Sequence, residues 1–453
     1  MKYKLLCALN DFWYSCARII SSFILANLAI FFALIGQKQR ALKCILASFR
    51  FGRGGASVNS LRKMMGADSS MSKMVSWGVE LNEAAARSII IKWPTYNNGV
   101  VCKGLIVITF TKTFSYFLRR IDLEAMSNHF IFVLEPSWSG YADPDILGFV
   151  GRLNNVLIES SAVEDRAFLN CFPETFIPVS FGASDWVDID IFQSLNVEKK
   201  YDSIYIANTN PIKRVKRYLD AIKNIVAAGN EAYVGCLVCA AWGGAEKLIL
   251  EMVKDYDLKN NIVLKFSLSR EEVIESLNQS KVNILLSYKE GSNRSLFEAI
   301  FCNIPVICLS ENVGVNKGYI NEFTGLLIPN EDLESSLLWI KDNYTQFSPR
   351  DWALKNISPE ATTEKLHQLI VNRFNIKNND LMSDIYIKTN NPEVSYFRRH
   401  YLDHKKYSRE ILTLFDVSSG DKSIDYSVAI NSAHAQFCKD DLVTIKVREN
   451  DIL

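Results

Sequence analysis

Short apolar runs alternate with helix-like stretches through most of the chain. After residue 200, "YDSIYIAN", "VNILLSY" and "IPVICLS" read as buried strands, and helix-like segments separate them. Strands that alternate with helices of ten or more residues predict βαβ units and a parallel sheet. An earlier series of the same kind runs from "GLIVITF" (104–110) to "FIPVSFG" (176–182).

Two such series predict an α/β protein with two doubly wound, Rossmann-like domains that face one another. We expect a helical, apolar N-terminal segment over 1–100 and a first Rossmann-like domain with its connector over 101–192. A second Rossmann-like domain covers 193–385, and the tail 386–453 fits neither series. In such domains ligands bind at the carboxyl ends of the strands.

The N-terminal segment contains an apolar stretch from Ile19 to Gly36 between Arg18 and Lys38. Eighteen residues is the lower limit for a membrane-spanning helix. No cleavage site of a signal peptide follows the stretch. Membrane contact through residues 1–40 and a buried helix of an N-terminal bundle are the two interpretations. The basic residues that follow would place the downstream side in the cytoplasm if the stretch inserts.

Composition narrows the class of protein. The 453 residues carry 51 Lys and Arg against 50 Asp and Glu, which argues against general nucleic-acid binding. Hydrophobic residues make up 48% of the chain, enough for sizeable cores. The ten cysteines are scattered and several lie in apolar runs, which is typical of free thiols in a reducing compartment such as the cytoplasm.

The stretch "KEGSNRSLFEA" places chemistry between a predicted strand and a predicted helix. Gly291 allows close approach of the backbone, and Ser292 and Asn293 are good helix N-caps. The start of that helix offers free N–H groups and a positive dipole to an anion. Glu290 and Glu298 can accept hydrogen bonds from sugar hydroxyls. The alternative is that both glutamates are surface residues.

These motifs resemble those of the family 4 (group 1) retaining glycosyltransferases of GT-B fold. The resemblance rests on the E-x7-E spacing, on "IPVI" and "TGLLIP" after it, on "PIKRVKRYLDAI" as a phosphate-binding segment and on "WVDIDIF" as the connector. It extends over residues 180–375. It implies a C-terminal domain that binds a nucleotide sugar and an N-terminal domain that binds the acceptor.

The resemblance also implies roles for single residues. Glu298 would bind the nucleotide ribose, Glu290 the hydroxyls of the donor sugar, and Lys213 the pyrophosphate, so that Glu290 and Lys213 would be the catalytic residues. Gly291, Ser292 and Asn293 would complete the donor site.

One position departs from the family pattern. The family usually has an arginine five residues before the phosphate-binding lysine, and this chain has Asn208 there. A departing nucleoside diphosphate needs matching positive charge. We expect Arg294 or Arg214 to supply the second cation, with Arg294 preferred because it starts the helix.

In the first half, "LEPSWSGYADPD" follows a predicted strand. Glu135 and Trp138 could bind a sugar acceptor by hydrogen bonding and stacking, and Lys112 after the preceding strand could do the same. The alternative is that these are loop residues without a special role.

Asp188 and Asp190 imitate the D-x-D motif that holds a metal in the other glycosyltransferase fold. They lie in the connector instead of at the end of an apolar strand, so we interpret them as structural. The five histidines show no metal-ligand spacing. We therefore expect neither a metal nor another cofactor.

The sequence thus predicts a retaining hexosyltransferase (EC 2.4) that moves a sugar from a nucleotide sugar to a glycan or a lipid-linked acceptor in cell-surface polysaccharide synthesis. Its expected location is the cytoplasm, with attachment to the cytoplasmic face of the membrane as an option. The alternatives are a nucleotide-sugar epimerase of the same fold and a catalytically silent glycan- or membrane-binding module.

Overall fold

A computed structural model describes residues 2–52, 58–65, 71, 73–97, 100–138, 140–239, 246–374, 385–390, 393–418 and 424–450. In the described residues, helices occupy the N-terminal segment as far as Ala86, as its pattern predicts, but Ser88–Lys92 and Thr95–Asn97 at its end are strands. A π-helical turn over Trp13–Ala17 joins the first two helices. The helices of this segment are α1 (Lys2–Phe12), α2 (Arg18–Leu34), α3 (Lys38–Gly52), α4 (Val58–Met65) and α5 (Leu81–Ala86).

The Cα positions divide the chain into two compact units. Residues 1–20 and 189–358 form one, which we call the six-stranded unit, and residues 21–188 and 359–453 form the other, the five-stranded unit. The predicted division into consecutive segments differs from this one, because the chain enters the five-stranded unit twice. Local hydrophobic patterns indicate where helices and strands lie but not which core receives them.

The five-stranded unit holds a sheet with the order β1-β4-β5-β6-β7, in which β1 is antiparallel to β4 and the other neighbours are parallel. Strands β2 and β3 form a separate hairpin. The elements are β1 (Ser88–Lys92), β2 (Thr95–Asn97), β3 (Val100–Cys102), β4 (Gly104–Thr109), α6 (Thr111–Arg120), α7 (Leu123–Ser127), β5 (Phe130–Glu135), α8 (Pro144–Leu147), β6 (Val156–Glu159), α9 (Val163–Leu169) and β7 (Phe176–Val179).

The six-stranded unit has the sheet order β10-β9-β8-β11-β12-β13, and every neighbouring pair is parallel. Its elements are β8 (Ser203–Ala207), α10 (Val215–Ala227), β9 (Gly235–Cys239), α11 (Glu246–Asp255), β10 (Ile262–Phe266), α12 (Arg270–Asn278), β11 (Asn283–Leu285), α13 (Arg294–Phe301), β12 (Val306–Leu309), β13 (Gly325–Ile328), α14 (Leu333–Asn343) and α15 (Pro349–Asn356).

This order makes the six-stranded unit doubly wound. Numbered along the chain within the unit, its strands lie in the order 3-2-1-4-5-6, which is the Rossmann order. The direction of winding reverses between β8 and β11, so the loops after these two strands leave the sheet on opposite sides of a crevice. The α/β prediction is confirmed, and the sheet order identifies the crevice as the place to look for a ligand.

The end of the chain belongs to the core of the five-stranded unit. Its elements are α16 (Pro359–Phe374), β14 (Lys388–Asn390), β15 (Val394–Tyr396), α17 (His404–Leu414) and α18 (Tyr426–Asn450). Tyr396, Tyr407 and Phe437 are buried there, and the Tyr396 hydroxyl donates to the carbonyl of Ile90 in β1 at 2.8 Å. The tail that fits neither predicted series is therefore part of a hydrophobic core.

Gly325, at the start of β13, is a position where the fold requires glycine. Its φ is +152°, and a Cβ there would collide with the carbonyl oxygen of Val306 on the neighbouring strand. Gly325→Ala should lower the free energy of unfolding by roughly 1–3 kcal/mol, because the strand pair must separate or the backbone must strain. Chemical denaturation checks this. Gly229→Ala is the matched control, since Gly229 has φ of +92° but open space around it and should cost less. Equal losses in the two variants would show that the collision contributes nothing.

Candidate functional site

Two loops meet at the switch point of the six-stranded sheet. The first follows β8 and contains a 3-10 turn over Pro211–Lys213, which Asn210 caps by accepting a hydrogen bond from the Ile212 N–H at 3.1 Å. The Tyr205 hydroxyl on β8 donates to the carbonyl oxygen of Lys213. The second loop follows β11 and runs to the start of α13. The backbone N–H of Tyr288 donates to the Ile212 carbonyl at 3.1 Å, which joins the two loops.

Lys213 and Glu290 form an ion pair across this junction. The Lys213 Nζ donates to both oxygens of the Glu290 carboxylate, at 2.6 and 2.7 Å. The Lys213 side chain is 15% exposed and the Glu290 side chain 6%, so each charge depends on the other for compensation. An ammonium has three donors, and two bonds to Glu290 leave a third for an incoming oxygen. The structure thus brings together the two residues that the sequence assigns to catalysis.

Glu290 is held from its backbone as well. Its N–H donates to the carbonyl of Val313 at 2.8 Å, and the residue is only 4% exposed. The interpretation of Glu290 as a surface residue is therefore wrong. A carboxylate that is buried, paired and held by its backbone in the loop after β11 has a defined direction, which hydrogen bonding to a sugar would need.

Helix α13 begins where the sequence predicts. Asn293 is its N-cap, and the side-chain oxygen accepts from the Leu296 N–H at 3.0 Å and from the Ser295 hydroxyl at 2.9 Å. Gly291 and Ser292 are half-buried in the bend before it. The Asn293 side chain is thus occupied by the cap, while the first turn of the helix keeps the orphan N–H groups and positive dipole that favour an anion.

Glu298 lies in the second turn of α13 and is partly buried. Burial raises the pKa of the Glu298 carboxyl above its ordinary value, and the charges of Arg294 and Arg270 act in the opposite direction. The four-residue spacing from Arg294 is the one that brings side chains together on a helix. Glu298 is therefore a carboxylate whose ionisation depends on neighbouring cations.

The two candidate cations differ in their surroundings. Arg294 is exposed at the start of α13. Arg214 follows Lys213 directly, has a left-handed backbone with φ of +55° and is 9% exposed. Its guanidinium lies 4.3 Å from the centre of the Tyr288 ring and donates to the Asn330 side chain at 2.9 Å. Arg214 therefore places a fixed positive charge in the same loop as Lys213.

Asn208, at the position where the family usually has arginine, supports the loop. Its side-chain oxygen accepts from the N–H of Asn210 at 3.0 Å. The residue stabilises the turn that carries Lys213, and this local contact requires a short side chain with an acceptor.

In the five-stranded unit, a cavity of about 360 Å³ opens beside the carboxyl ends of β4 and β5. Its lining includes Lys112 after β4 and Trp138 after β5, both of which the sequence proposes for acceptor binding. Trp138 is 55% exposed, so its ring is available for stacking. These two predicted residues lie in one pocket.

Glu135, the third residue proposed for the acceptor, has a different environment. It is buried, its Oε2 accepts from the Lys388 Nζ at 2.6 Å, and the Asn390 side chain donates to both of its oxygens at 3.0 and 3.1 Å. The neighbouring Glu159 accepts from the indole N–H of Trp186 at 3.1 Å. Burial, and then the charge of Glu135, raise the pKa of Glu159 well above its usual range.

Sequence reasoning missed Lys388 and Asn390. They lie in the tail, more than 250 positions from Glu135, and no local pattern marks them as its partners.

Asp188 is fully buried, and its carboxylate lies 3.3 Å from the Nε2 of His400. Asp190 is exposed. Within the described ranges, no group of three or more His, Cys, Asp or Glu side chains is placed to hold a metal ion. The contact with His400 gives Asp188 a partner inside its own unit.

Comparison with protein families finds a match over this part of the chain. Residues 187–344 match the family described as glycosyl transferases group 1. The match starts in the connector and includes both switch-point loops, with Lys213, Glu290 and Glu298. Comparison with curated protein sequences finds no match.

Several solved structures are similar over part of the chain. TarM has a TM-score of 0.47 and 17% identity over 61% of this chain and 63% of its own. A variant of TarM from S. aureus, in complex with fondaparinux, α-GlcNAc-glycerol and UDP, has a TM-score of 0.44 and 18% identity over 55% of this chain and 51% of its own. HepE from Anabaena in complex with UDP has a TM-score of 0.47 and 11% identity over 59% of this chain and 78% of its own.

This chain therefore spans about half to two thirds of the length of the TarM structures. The match to the family itself is in sequence and falls on the unit whose strand order and paired loops were described above. Over residues 187–344, the chain is thus similar in sequence to the group 1 glycosyltransferases.

Proposed function

We propose that the protein is a retaining glycosyltransferase that moves a sugar from a nucleotide sugar to a glycan or lipid-linked acceptor, in cell-surface polysaccharide synthesis. The observation that carries the proposal is the Lys213–Glu290 ion pair at the switch point of a Rossmann-ordered sheet. The match to group 1 glycosyltransferases over the same residues supports it.

In the proposed reaction, the bond between the anomeric carbon and the diphosphate oxygen breaks, and a bond to the acceptor oxygen forms on the same face. The acceptor proton passes to a phosphate oxygen. Lys213, Arg214 and the first turn of α13 match the charge that grows on the leaving diphosphate. Such electrostatic stabilisation is usually the largest contribution to catalysis of this kind.

Glu290 would orient the donor sugar by accepting hydrogen bonds from its hydroxyls while its contact with Lys213 holds the carboxylate in place. Glu298 would accept from the ribose hydroxyls. The pocket with Lys112 and Trp138 is the proposed acceptor site, because it combines a donor of hydrogen bonds with an exposed aromatic face. Glu135 would influence the acceptor site only indirectly, through the local structure, since its oxygens already accept hydrogen bonds from Lys388 and Asn390.

The first test is a thermal-shift screen with UDP-, GDP-, ADP-, dTDP- and CMP-sugars, followed by turnover with and without glycan acceptors. We expect one sugar nucleotide to stabilise the protein, by about 2.7 kcal/mol at a hundred times its dissociation constant. Release of the nucleoside diphosphate should require an acceptor and should survive EDTA, because side chains and a helix dipole neutralise the diphosphate. Turnover of the donor sugar without any acceptor would favour an epimerase. Loss with EDTA that manganese or magnesium restores would make Asp188 and Asp190 candidate ligands.

The second test separates the roles of the three donor-site residues. Lys213→Ala should lower kcat by roughly a hundredfold, since the charge it matches grows as the bond breaks. Glu290→Gln should weaken the binding of the intact sugar nucleotide without weakening the binding of the free nucleoside diphosphate. Glu298→Gln should lower the affinity for both ligands by about tenfold, because charge-assisted hydrogen bonds to the ribose become neutral ones. Calorimetry and turnover, measured side by side, check these outcomes.

Two controls accompany this series. Lys213→Ala leaves a buried carboxylate without its partner, so the double variant Lys213→Met with Glu290→Gln tests folding with the pair removed together.

The pH dependence of donor binding isolates the contribution of Glu298. Its raised pKa means that acidification protonates it at a higher pH than an ordinary glutamate, so donor affinity should fall early on the acid side in wild type and not in Glu298→Gln. Wild-type binding and turnover in all three single variants would contradict the proposed function.

We also propose that residues 1–40 attach the protein to a membrane, on its cytoplasmic face. The continuous helix Leu5–Leu34 is long and apolar enough to cross a membrane, and most of its apolar part is exposed. Leu34 is 81% exposed and Phe23 54%. The stretch buries one face, with Ser22, Ala26 and Ala29, and the exposed apolar face is what supports attachment.

Substitution of the exposed face tests the attachment better than deletion, because it leaves the buried face intact. Phe23→Glu with Phe31→Glu should move the protein from the membrane fraction to the soluble fraction, since charges at exposed apolar positions prevent burial in lipid. Leu250→Glu, on an exposed apolar position of α11, is the matched control and should leave fractionation unchanged. A wild-type protein that floats free of membranes without detergent would contradict the attachment.

A further inference from the structure

Helix α1 contacts both loops of the candidate donor site within the six-stranded unit. The Asn10 side chain donates to the carbonyl of Pro211 at 3.2 Å, in the turn that carries Lys213. Asp11 accepts from the Tyr288 hydroxyl at 3.0 Å, in the loop that carries Glu290. One helical turn of the N-terminal segment therefore touches both loops that the Lys213–Glu290 pair joins.

The aromatic ring of Tyr14 extends this contact. It stacks on the Tyr288 ring with the centroids 4.6 Å apart and the planes 3° from parallel. The same Tyr288 ring lies 4.3 Å from the guanidinium carbon of Arg214. Burial raises the pKa of Tyr288 to about 12, so its hydroxyl stays a donor to Asp11 at any physiological pH. Tyr14 thus holds the ring against which the cation next to Lys213 packs.

The same helix presents an apolar surface that the six-stranded unit does not cover. Leu5, Leu9 and Phe12 are between 55% and 61% exposed. Among residues 1–20, which belong to this unit, the basic residues are Lys2, Lys4 and Arg18 and the acidic residue is Asp11. Asp11 is the residue bonded to Tyr288, so the charge available to a partner is positive. A helix with an exposed apolar face in a basic segment fits the surface of an anionic bilayer.

We propose that α1 binds anionic lipid through its exposed apolar face and, together with the π-helical turn that follows it, positions the Lys213 loop through Asn10, Asp11 and Tyr14. Lipid binding and diphosphate binding at Lys213 then reinforce each other. The two contacts use different residues of one helix, so both can form at once. Lipid that orders the helix removes part of the ordering cost that the diphosphate would otherwise meet, and the effect is reciprocal. This inference rests on the proposed donor function of Lys213.

The experiment uses the full chain with vesicles of phosphatidylglycerol and phosphatidylcholine, and with phosphatidylcholine alone. Hydrogen exchange of residues 205–218 reports on the loop without any ligand, and calorimetry with UDP, GDP and ADP reports on the site. Anionic vesicles should slow hydrogen exchange in the loop. They should also raise the affinity for the nucleoside diphosphate that binds, by roughly fivefold. Tyr14→Ala should still float with the vesicles but lose both effects. Tyr14→Phe keeps the stacked ring and should retain them.

The outcomes separate this inference from the proposed function. If no nucleoside diphosphate binds wild type, the donor function fails, while the exchange measurement still decides whether the helix positions the loop. If wild type does not bind anionic vesicles, or binds them with no change in exchange, the inference is overturned. It is equally overturned if Tyr14→Ala responds to vesicles as wild type does, since the stacked ring is then not the connection.

Discussion

The ion pair between Lys213 and Glu290 is the interaction on which the candidate site depends. Its members come from loops 77 positions apart, and they meet because β8 and β11 are neighbours at the point where the sheet reverses its winding. A buried pair of this kind stabilises only while both charges are present. The conformation of the two loops therefore depends on both charges being present. A ligand that binds there would meet side chains already held in position.

The surroundings of the pair come from backbone geometry more than from further charged residues. Asn210 caps the turn before Lys213, Arg214 adopts a left-handed conformation after it, and Asn293 caps the helix behind Glu290. Each device fixes the direction of one side chain or one set of N–H groups. Preorganisation of this sort lowers the cost of matching a charge that appears during a reaction.

The five-stranded unit buries several carboxylates close together. These carboxylates are Glu135, Glu159 and Asp185. The ammonium group of Lys388 contacts Glu135. Lys388 comes from the last part of the chain, whose aromatic residues complete the same hydrophobic core. The returning tail thus contributes both apolar area and charge compensation to the sheet, and we expect the unit to depend on it for folding.

The amino-acid sequence by itself determined the class of fold and most of the candidate residues. Alternating strands and helices predicted the parallel sheets, because side-chain periodicity reflects the face that each element buries. The turn and cap residues around Lys213, Glu290 and Asn293 predicted a strand–loop–helix site, because those conformations depend on local chemistry. Tertiary structure decided which of these residues meet. The pairing of Lys213 with Glu290, of Glu135 with Lys388 and of Tyr14 with Tyr288 joins distant segments. Local patterns contain no information on such partners, because strand order and the core that receives the tail follow from the packing of the whole chain.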